Sequence, residues 1–452
     1  MDTQSVITRV VTVAGGRFAP GHLGELTRIV PFEMVDAVLA ETGGVQKRVR
    51  DLPSRVVVYL LLAAGLFAEL GYGLVWRRLV AGLEGLAVAS PTGAALAQAR
   101  RRVGVAPLRA LLELLAGSAA GIATRGVYWR GLLVTAIDGT TMACPDTPAN
   151  LEVFRKGGGY HGGTGYPLVR LLVLVGCGTR TVLDAVFGPT GSGETTYATG
   201  LLRSLRAGMI VLADRNFASH KLINAMAGTG AEVLVRVKNG RRLPVCARYS
   251  DGSYLSRLGE LEVRVVACEI TIATSAGRRT GVYRLVTTIT DPACPASQLI
   301  RLYHDRWEIE TAYLEIKSTI LGGRVLRART PQGIDQEIYA LLVTYQALRI
   351  AITDATIGQP DIDPDRGSFT VALAAARDQL ILAAGVIADT AIDLVGTIGR
   401  HVLADLLPDR RLRVNPRVVK RAISKFVAKG ARIRGPSYKA TISIEICAPT
   451  DP

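Results

Sequence analysis

Five short apolar runs with helical segments between them constrain the fold of this chain more than any other feature. Runs rich in β-branched residues and bounded by Gly turns favour strands, whereas longer amphipathic segments favour helices. Strands are predicted over 132–137, 168–175, 181–187, 209–213 and 232–238, and helices over 193–207 and 219–227. The second and third strands flank the turn Gly176-Cys177-Gly178-Thr179 and are expected to form an antiparallel hairpin. This order predicts an α/β fold in which helices flank a mixed sheet.

The order strand, hairpin, helix, strand, helix, strand is typical of a ribonuclease-H-like core, and an acidic residue follows two of the strands, Asp138 and Asp214. Short β segments with Gly and Asp turns then predict a β-rich insertion, after which one helix is expected from about residue 295 to 321. The predicted regions are a helical N-terminal DNA-binding or dimerisation module (1–130), the core (131–239 and 296–350), the insertion (240–295) and a helical basic C-terminal region (351–452).

Basic residues exceed acidic ones by 54 to 38, a formal charge of +16, and the sequence pI is near 9.8. Such a surplus indicates a polyanionic partner, because Lys and Arg bound to phosphates release counterions. Residues 410–439 contain eleven Lys or Arg and no acid. A short helix predicted over 92–103 ends in Arg100, Arg101 and Arg102, which we expect to contact DNA. The alternative is a helical region that covers the core and leaves these arginines solvated.

Several classes of protein are disfavoured. The six cysteines form no C-x-x-C pair and the five histidines are dispersed, so neither a zinc site nor a disulfide framework is expected. The longest apolar run, 56–68, has thirteen residues, whereas a membrane span needs about twenty. The glycine-rich segment 157–165 lacks the Gly-Lys-Ser/Thr of a P-loop. We expect a cytoplasmic bacterial protein that is nucleoid-associated when bound to DNA.

The most informative segment is 303–317. At about 100° per residue, four of its side chains fall within an arc of roughly 60° on an ideal helix, with Trp307 beside them: Tyr303, Arg306, Glu310 and Lys317. A carboxylate can ligate a hard metal, the cations can bind phosphates and the aromatic rings can stack on an unpaired base. The alternative is a surface helix with ion pairs such as Arg306–Glu310.

The spacing Tyr303-x2-Arg306-x3-Glu310-x6-Lys317 resembles the Y-R-E-K signature of the insertion-sequence-four family of DDE transposases. Two further stretches resemble that family in the same order: Ile137-Asp138-Gly139-Thr140 with Asn150 downstream, and Val211-Leu212-Ala213-Asp214-Arg215-Asn216-Phe217. The resemblance covers roughly residues 85–350 and implies a ribonuclease-H-like core with a β-rich insertion before the helix that bears the third acid.

By motif position, the resemblance implies that Asp138, Asp214 and Glu310 form a catalytic triad that binds two Mg²⁺ ions, for which Mn²⁺ can substitute. Tyr303, Arg306 and Lys317, with Trp307 as a neighbour, would contact DNA near the transposon end. The implied activity is cut-and-paste transposition: the enzyme binds terminal inverted repeats, cleaves the strands and joins 3′ ends to target DNA. Because two ends must be paired, we expect a homodimer on DNA.

Two alternatives stay open: a ribonuclease-H-like nuclease or resolvase without strand transfer, and a non-catalytic DNA-binding derivative. One departure concerns relatives that form a DNA hairpin and hold a flipped base with a Trp in the insertion. The tryptophans of this chain are Trp76, Trp129 and Trp307, all outside 240–295. Either Tyr254 or Tyr283 replaces that Trp, or the hairpin route differs.

Overall fold

The computed structural model describes residues 9–83, 85–122, 124–156, 165–275, 277–357, 359, 361–382, 396–407, 413–414 and 438–447. Most of the basic segment 410–439 and residues 157–164 of the glycine-rich segment therefore lie outside the described residues.

The N-terminal region is mainly helical. Its elements are β1 (Val10–Thr12), β2 (Phe18–Pro20), α1 (Phe32–Glu41), α2 (Ser54–Leu66), α3 (Tyr72–Val80), α4 (Gly93–Val103) and α5 (Ala106–Leu115). The apolar run found in the sequence forms α2, in which every residue from Val56 to Leu66 is buried. The Thr92 hydroxyl accepts a hydrogen bond from the Ala95 N–H and so caps α4. Among the described residues, no helix combines the length and apolarity needed to span a bilayer.

The central region supplies the middle of the sheet. Its elements are β3 (Tyr128–Trp129), β4 (Leu132–Ala143), α6 (Pro148–Phe154), β5 (Leu168–Gly176), β6 (Val182–Pro189), α7 (Glu194–Leu201), β7 (Met209–Ala213), α8 (His220–Ala227) and β8 (Glu232–Val237). Strands β4, β7 and β8 are parallel neighbours, and β5 and β6 continue the sheet antiparallel on the other side of β4. The predicted mixed sheet with its antiparallel hairpin is confirmed.

One strand boundary was predicted wrongly. Strand β4 was expected to end before Asp138, but it continues to Ala143. The parallel partner β7 stops at Ala213 opposite Ile137, whereas the antiparallel partner β5 pairs as far as Ala143–Leu168. Asp138 therefore lies inside a strand, at the point where one of its two neighbours ends.

The insertion is β-rich, and its strands are β9 (Ala247–Arg248), β10 (Tyr254–Leu258), β11 (Leu261–Thr274) and β12 (Gly277–Thr287). Instead of the short segments expected from the sequence, β11 and β12 form one long hairpin, and β12 extends the central sheet by pairing with β8. The insertion and the core thus share a continuous sheet.

The remaining elements are α9 (Ala296–His304), α10 (Trp307–Leu314), a π-helical turn (Glu315–Ile320), α11 (Pro331–Ile357), α12 (Phe369–Leu382), α13 (Gly396–Ala404), β13 (Arg413–Val414) and β14 (Tyr438–Ile446). The C-terminal region, predicted to be helical, contains α12 and α13 and also β14, which pairs antiparallel with β11. Its alternating isoleucines, Ile442, Ile444 and Ile446, have the two-residue period of a strand.

Candidate active site

Asp138 and Asp214 lie next to each other at the middle of the sheet. Ile137 of β4 is the cross-strand partner of Ala213 of β7, so the two aspartates follow paired residues on parallel strands. The Asp138 carboxylate accepts a hydrogen bond from the Gly139 N–H at 2.8 Å. The Asp214 carboxylate accepts one from the Asn216 N–H at 2.7 Å and caps the short helical turn that follows β7.

Glu310, on α10, is connected to Asp138 through Arg306. One guanidinium nitrogen of Arg306 lies 3.1 Å from Glu310 Oε1, and the other lies 3.7 Å from Asp138 Oδ2. Arg306 is itself buried, with 9% of its surface exposed. A single buried cation therefore contacts two of the three predicted catalytic carboxylates.

The pKa of Asp138 reflects its burial and its charged neighbours. Burial raises its pKa to about 6, which outweighs the lowering by the Gly139 N–H and by Arg306; the charges of Asp214 and Glu310 raise it further. Within the described part of the chain, no three His, Cys, Asp or Glu side chains lie close enough to hold a metal ion. Arg306 contacts both Asp138 and Glu310 in this arrangement.

The donor set nevertheless fits a divalent cation. Three carboxylates provide only hard oxygen ligands, as Mg²⁺ and Mn²⁺ prefer. The raised pKa of Asp138 arises in a site where burial and neighbouring carboxylates disfavour its anion. A cation bound there would relieve both effects, and a guanidinium already provides part of that positive charge.

The other residues of the 303–317 signature surround the same acids. The Tyr303 hydroxyl donates to the carbonyl of Ala213 at 3.2 Å, immediately before Asp214, and burial raises the pKa of Tyr303 to about 12. Lys317 Nζ donates to Thr140 Oγ1 at 2.9 Å, and burial lowers the pKa of Lys317. Trp307 is 49% exposed. The signature residues thus border β4 and β7, with one exposed aromatic ring beside them.

The prediction of one continuous helix through this signature is wrong. Between Asp305 and Ile309 the backbone makes hydrogen bonds to the third preceding residue, as in a 3₁₀ helix, and α9 ends there. After α10 the chain widens into the π-helical turn, and the Leu321 N–H donates to Ile316, five residues back. Irregular helical turns of this kind are frequent at functional sites.

Three further residues near the site were not among those predicted to form it. Tyr313 donates its hydroxyl to the Asp138 carbonyl at 2.6 Å. Glu194 lies against Gly139 and pairs with Arg170 at 2.8 Å.

Arg236 was also missed. Ala213 pairs with Val235, so Arg236 is level with Asp214 on the neighbouring strand β8. Its guanidinium lies 4.2 Å from the ring centroid of Tyr283. The sequence did contain an indication of Arg236, because it is a basic residue inside the apolar strand that follows Asp214. Tyr254 is 4% exposed, which leaves Tyr283 as the more accessible candidate for stacking on a base.

The three arginines at the end of α4 differ in environment. The Arg100 guanidinium lies 3.6 Å from the ring centroid of Tyr72, and burial lowers the pKa of Arg100. Arg101 and Arg102 are exposed. Arg101 and Arg102 are therefore more accessible than the partly buried Arg100 for the expected DNA contact.

Comparison with known proteins gives two family matches. The model described as insertion element 4 transposase N-terminal matches residues 20–113, and the model described as transposase DDE domain matches residues 129–346. Transposase InsG for insertion sequence element IS4 of Escherichia coli K12 is 27% identical over 411 residues, which cover 87% of this chain and 91% of InsG. Putative transposase InsZ of the same organism is 29% identical over 199 residues, 43% of this chain and 64% of InsZ.

Among solved structures, the cryo-EM structure of a piggyBac transposase synaptic complex with hairpin DNA matches with a TM-score of 0.41. The two sequences are 12% identical, and the match covers 85% of this chain and 84% of the other.

Proposed function

Since this chain belongs to the insertion-sequence-four family of DDE transposases and is a DNA transposase, we propose that Asp138, Asp214 and Glu310 are its catalytic carboxylates. The observation that carries the proposal is their arrangement. Two acids follow paired residues on adjacent parallel strands, and the third is connected to the first through Arg306. We further propose that β4 to β8 with α10 form a ribonuclease-H-like core. We also propose that the four regions predicted from the sequence are the domains of this chain.

DDE transposase domains use divalent metal ions, and Asp138, Asp214 and Glu310 would hold two Mg²⁺ ions, or Mn²⁺ in their place. Bound ions would stabilise the charge that develops on the attacking and leaving oxygens during phosphodiester displacement. The residues of the chain orient these carboxylates: the Gly139 N–H fixes Asp138, the Asn216 N–H fixes Asp214, and α10 presents Glu310.

Arg306 has to release the carboxylates before they converge. Its guanidinium contacts both Asp138 and Glu310, and a DNA phosphate is an alternative partner for its planar donors. Lys317 would bind a second phosphate, and Tyr303 would orient the strand beside Asp214. Trp307, half exposed, would stack on an unpaired base. Binding of DNA would therefore favour the convergence of the acids.

The proposed substrates are the terminal inverted repeats of the element and a target duplex, bound by a homodimer that pairs the two ends. Arg101 and Arg102 would add phosphate contacts from α4, together with the basic segment 410–439. The proposed location is the bacterial cytoplasm, at the nucleoid when the protein is on DNA.

The test is a cleavage and strand-transfer assay in Mg²⁺ with labelled end DNA and a target plasmid. Asp138→Ala, Asp214→Ala and Glu310→Ala should each abolish cleavage while binding of end DNA persists. The matched control is Asp146→Ala, which removes a loop acid whose side chain is 57% exposed and should leave cleavage unchanged. Full cleavage by Glu310→Ala would refute the triad, and cleavage without joined products would favour the nuclease alternative.

A further inference from the structure

The side of α10 away from Asp138 contains a buried cluster of charged residues that the proposed chemistry does not use. Glu308 is 2% exposed and Glu315 is 6% exposed. Arg180, in the turn between β5 and β6, contacts both: its Nε lies 2.6 Å from Glu308 Oε2, and its Nη1 lies 3.1 Å from Glu315 Oε1. One arginine of the sheet thus contacts α10 and the start of the π-helical turn.

Helix α11 contacts the same cluster. Arg349, which is fully buried, donates from Nε to Glu315 Oε2 at 3.0 Å and also pairs with Glu315 through Nη2. The Tyr345 hydroxyl shares its one hydrogen between Glu315 Oε2 at 3.1 Å and the carbonyl of Arg180 at 2.9 Å. Glu315 therefore accepts hydrogen bonds from three side chains on two different elements. Two arginines pair with two glutamates in this cluster.

Stability alone does not account for such a cluster. Buried ion pairs contribute little compared with apolar residues of the same volume, because both partners lose their hydration. Such pairs do fix the orientation of the paired carboxylates, because the guanidinium presents its donors in a rigid plane. The backbone of Arg180 is fixed as well. It has a left-handed φ of 57°, its N–H donates to Gly176 and its carbonyl accepts from Tyr345.

The position of Glu310 connects this cluster to the active site. Glu310 lies between Glu308 and Glu315 along the chain, and the backbone departs from α-helical hydrogen bonding on both sides of α10. The ion pairs fix residues near both ends of this irregular segment. On its other side, Tyr313 donates to the carbonyl of Asp138. Rotation or sliding of α10 would break these contacts and would move Glu310 relative to Asp138.

We infer that Arg180 and Arg349 are positioning residues. Through Glu308 and Glu315 they fix the position of Glu310 relative to Asp138. This inference rests on the proposed catalytic triad. Residues that orient metal ligands without touching the metal typically change metal affinity or activity by about 10- to 100-fold when they are replaced.

The test measures Mn²⁺ binding to the full-length protein by electron paramagnetic resonance of the free ion. Binding that Asp138→Ala removes defines the triad site. Glu315→Gln keeps the shape of the side chain and removes its charge, so we expect the affinity at that site to fall about 10- to 100-fold. The matched control is Glu337→Gln, which breaks the Arg327–Glu337 pair of 2.9 Å between the start of α11 and the segment before it. The control should lower the melting temperature without changing Mn²⁺ affinity.

A second variant guards against misfolding of Glu315→Gln. Arg180→Gln combined with Glu308→Gln removes one positive and one negative charge, so no single buried charge is left unpaired. We expect this double variant to fold and to show the same decrease in Mn²⁺ affinity as Glu315→Gln.

The outcomes separate the two proposals. Wild-type affinity in both cluster variants would overturn the positioning role and leave the triad intact. If the wild type itself shows no binding that depends on Asp138, both proposals are overturned.

Discussion

Replacing Asp138 by Asn should stabilise the metal-free protein while abolishing its activity. The side chain of Asp138 is 19% exposed, and burial raises its pKa from 3.8 to about 6. For an acid whose pKa is higher in the folded state, stability is greatest below the unfolded pKa. That stability is lost as the pH rises through the folded pKa. Near neutral pH the wild type therefore carries a buried carboxylate that favours unfolding.

The size of the effect follows from the shift. One pKa unit corresponds to about 1.4 kcal/mol, so a shift of about two units corresponds to about 3 kcal/mol. Asn has nearly the shape of Asp, can still accept from the Gly139 N–H and does not titrate. We expect Asp138→Asn to raise the free energy of unfolding by about 3 kcal/mol at pH 7.5. This gain should shrink from about pH 6 downwards and vanish below about pH 4.

The assay is urea unfolding followed by circular dichroism in EDTA at several pH values between 4 and 8. Asp146→Asn, at an exposed loop acid, provides the control and should show no such gain. Added Mn²⁺ should reverse the order of stability, because only the wild type would gain binding free energy from an ion at the proposed triad. An Asp138→Asn protein that is less stable than the wild type at pH 7.5, or a difference independent of pH, would refute the argument.

Two further predictions concern DNA binding, measured by fluorescence anisotropy on an end duplex at several salt concentrations. Lys317→Met should weaken binding and lower the slope of log affinity against log salt by about 1. The control Lys317→Arg should retain the slope. An unchanged slope in Lys317→Met would exclude the phosphate contact. Arg101→Gln with Arg102→Gln should lower the slope by about 2. Arg100→Gln, which loses the contact with Tyr72, should lower the melting temperature instead; the reverse pattern would show that Arg100 is the residue that binds DNA.

The central strands could be predicted because their signal is local. Each is a short apolar run between turns, and the pairing of β4 with β7 places Asp138 beside Asp214 once both are strands. The end of β4 could not be predicted in this way, because it depends on where β5 stops pairing and not on the composition of β4 itself. The long β11–β12 hairpin and the addition of β14 to β11 likewise depend on pairing between distant segments.

The helix that bears Glu310 shows a second limit. Angles calculated at about 100° per residue assume α-helical geometry, whereas the chain tightens at Asp305 and widens after Leu314. Tyr303 and Lys317 still border the acids, because each makes a hydrogen bond to β7 or β4. The grouping was therefore informative although the geometry used to find it was wrong.

The buried glutamates explain why a helical pattern alone could not complete the site. Glu308 and Glu315 lie off the arc of the signature, where a charged residue on an amphipathic helix usually faces solvent. Their partners Arg180 and Arg349 lie more than thirty residues from Glu315 in the chain, so no local spacing relates them. Charged residues are rarely buried unless they are paired. A buried carboxylate therefore becomes interpretable only when the fold brings its arginine to it, and here the fold brings two arginines to the helix that carries the third acid.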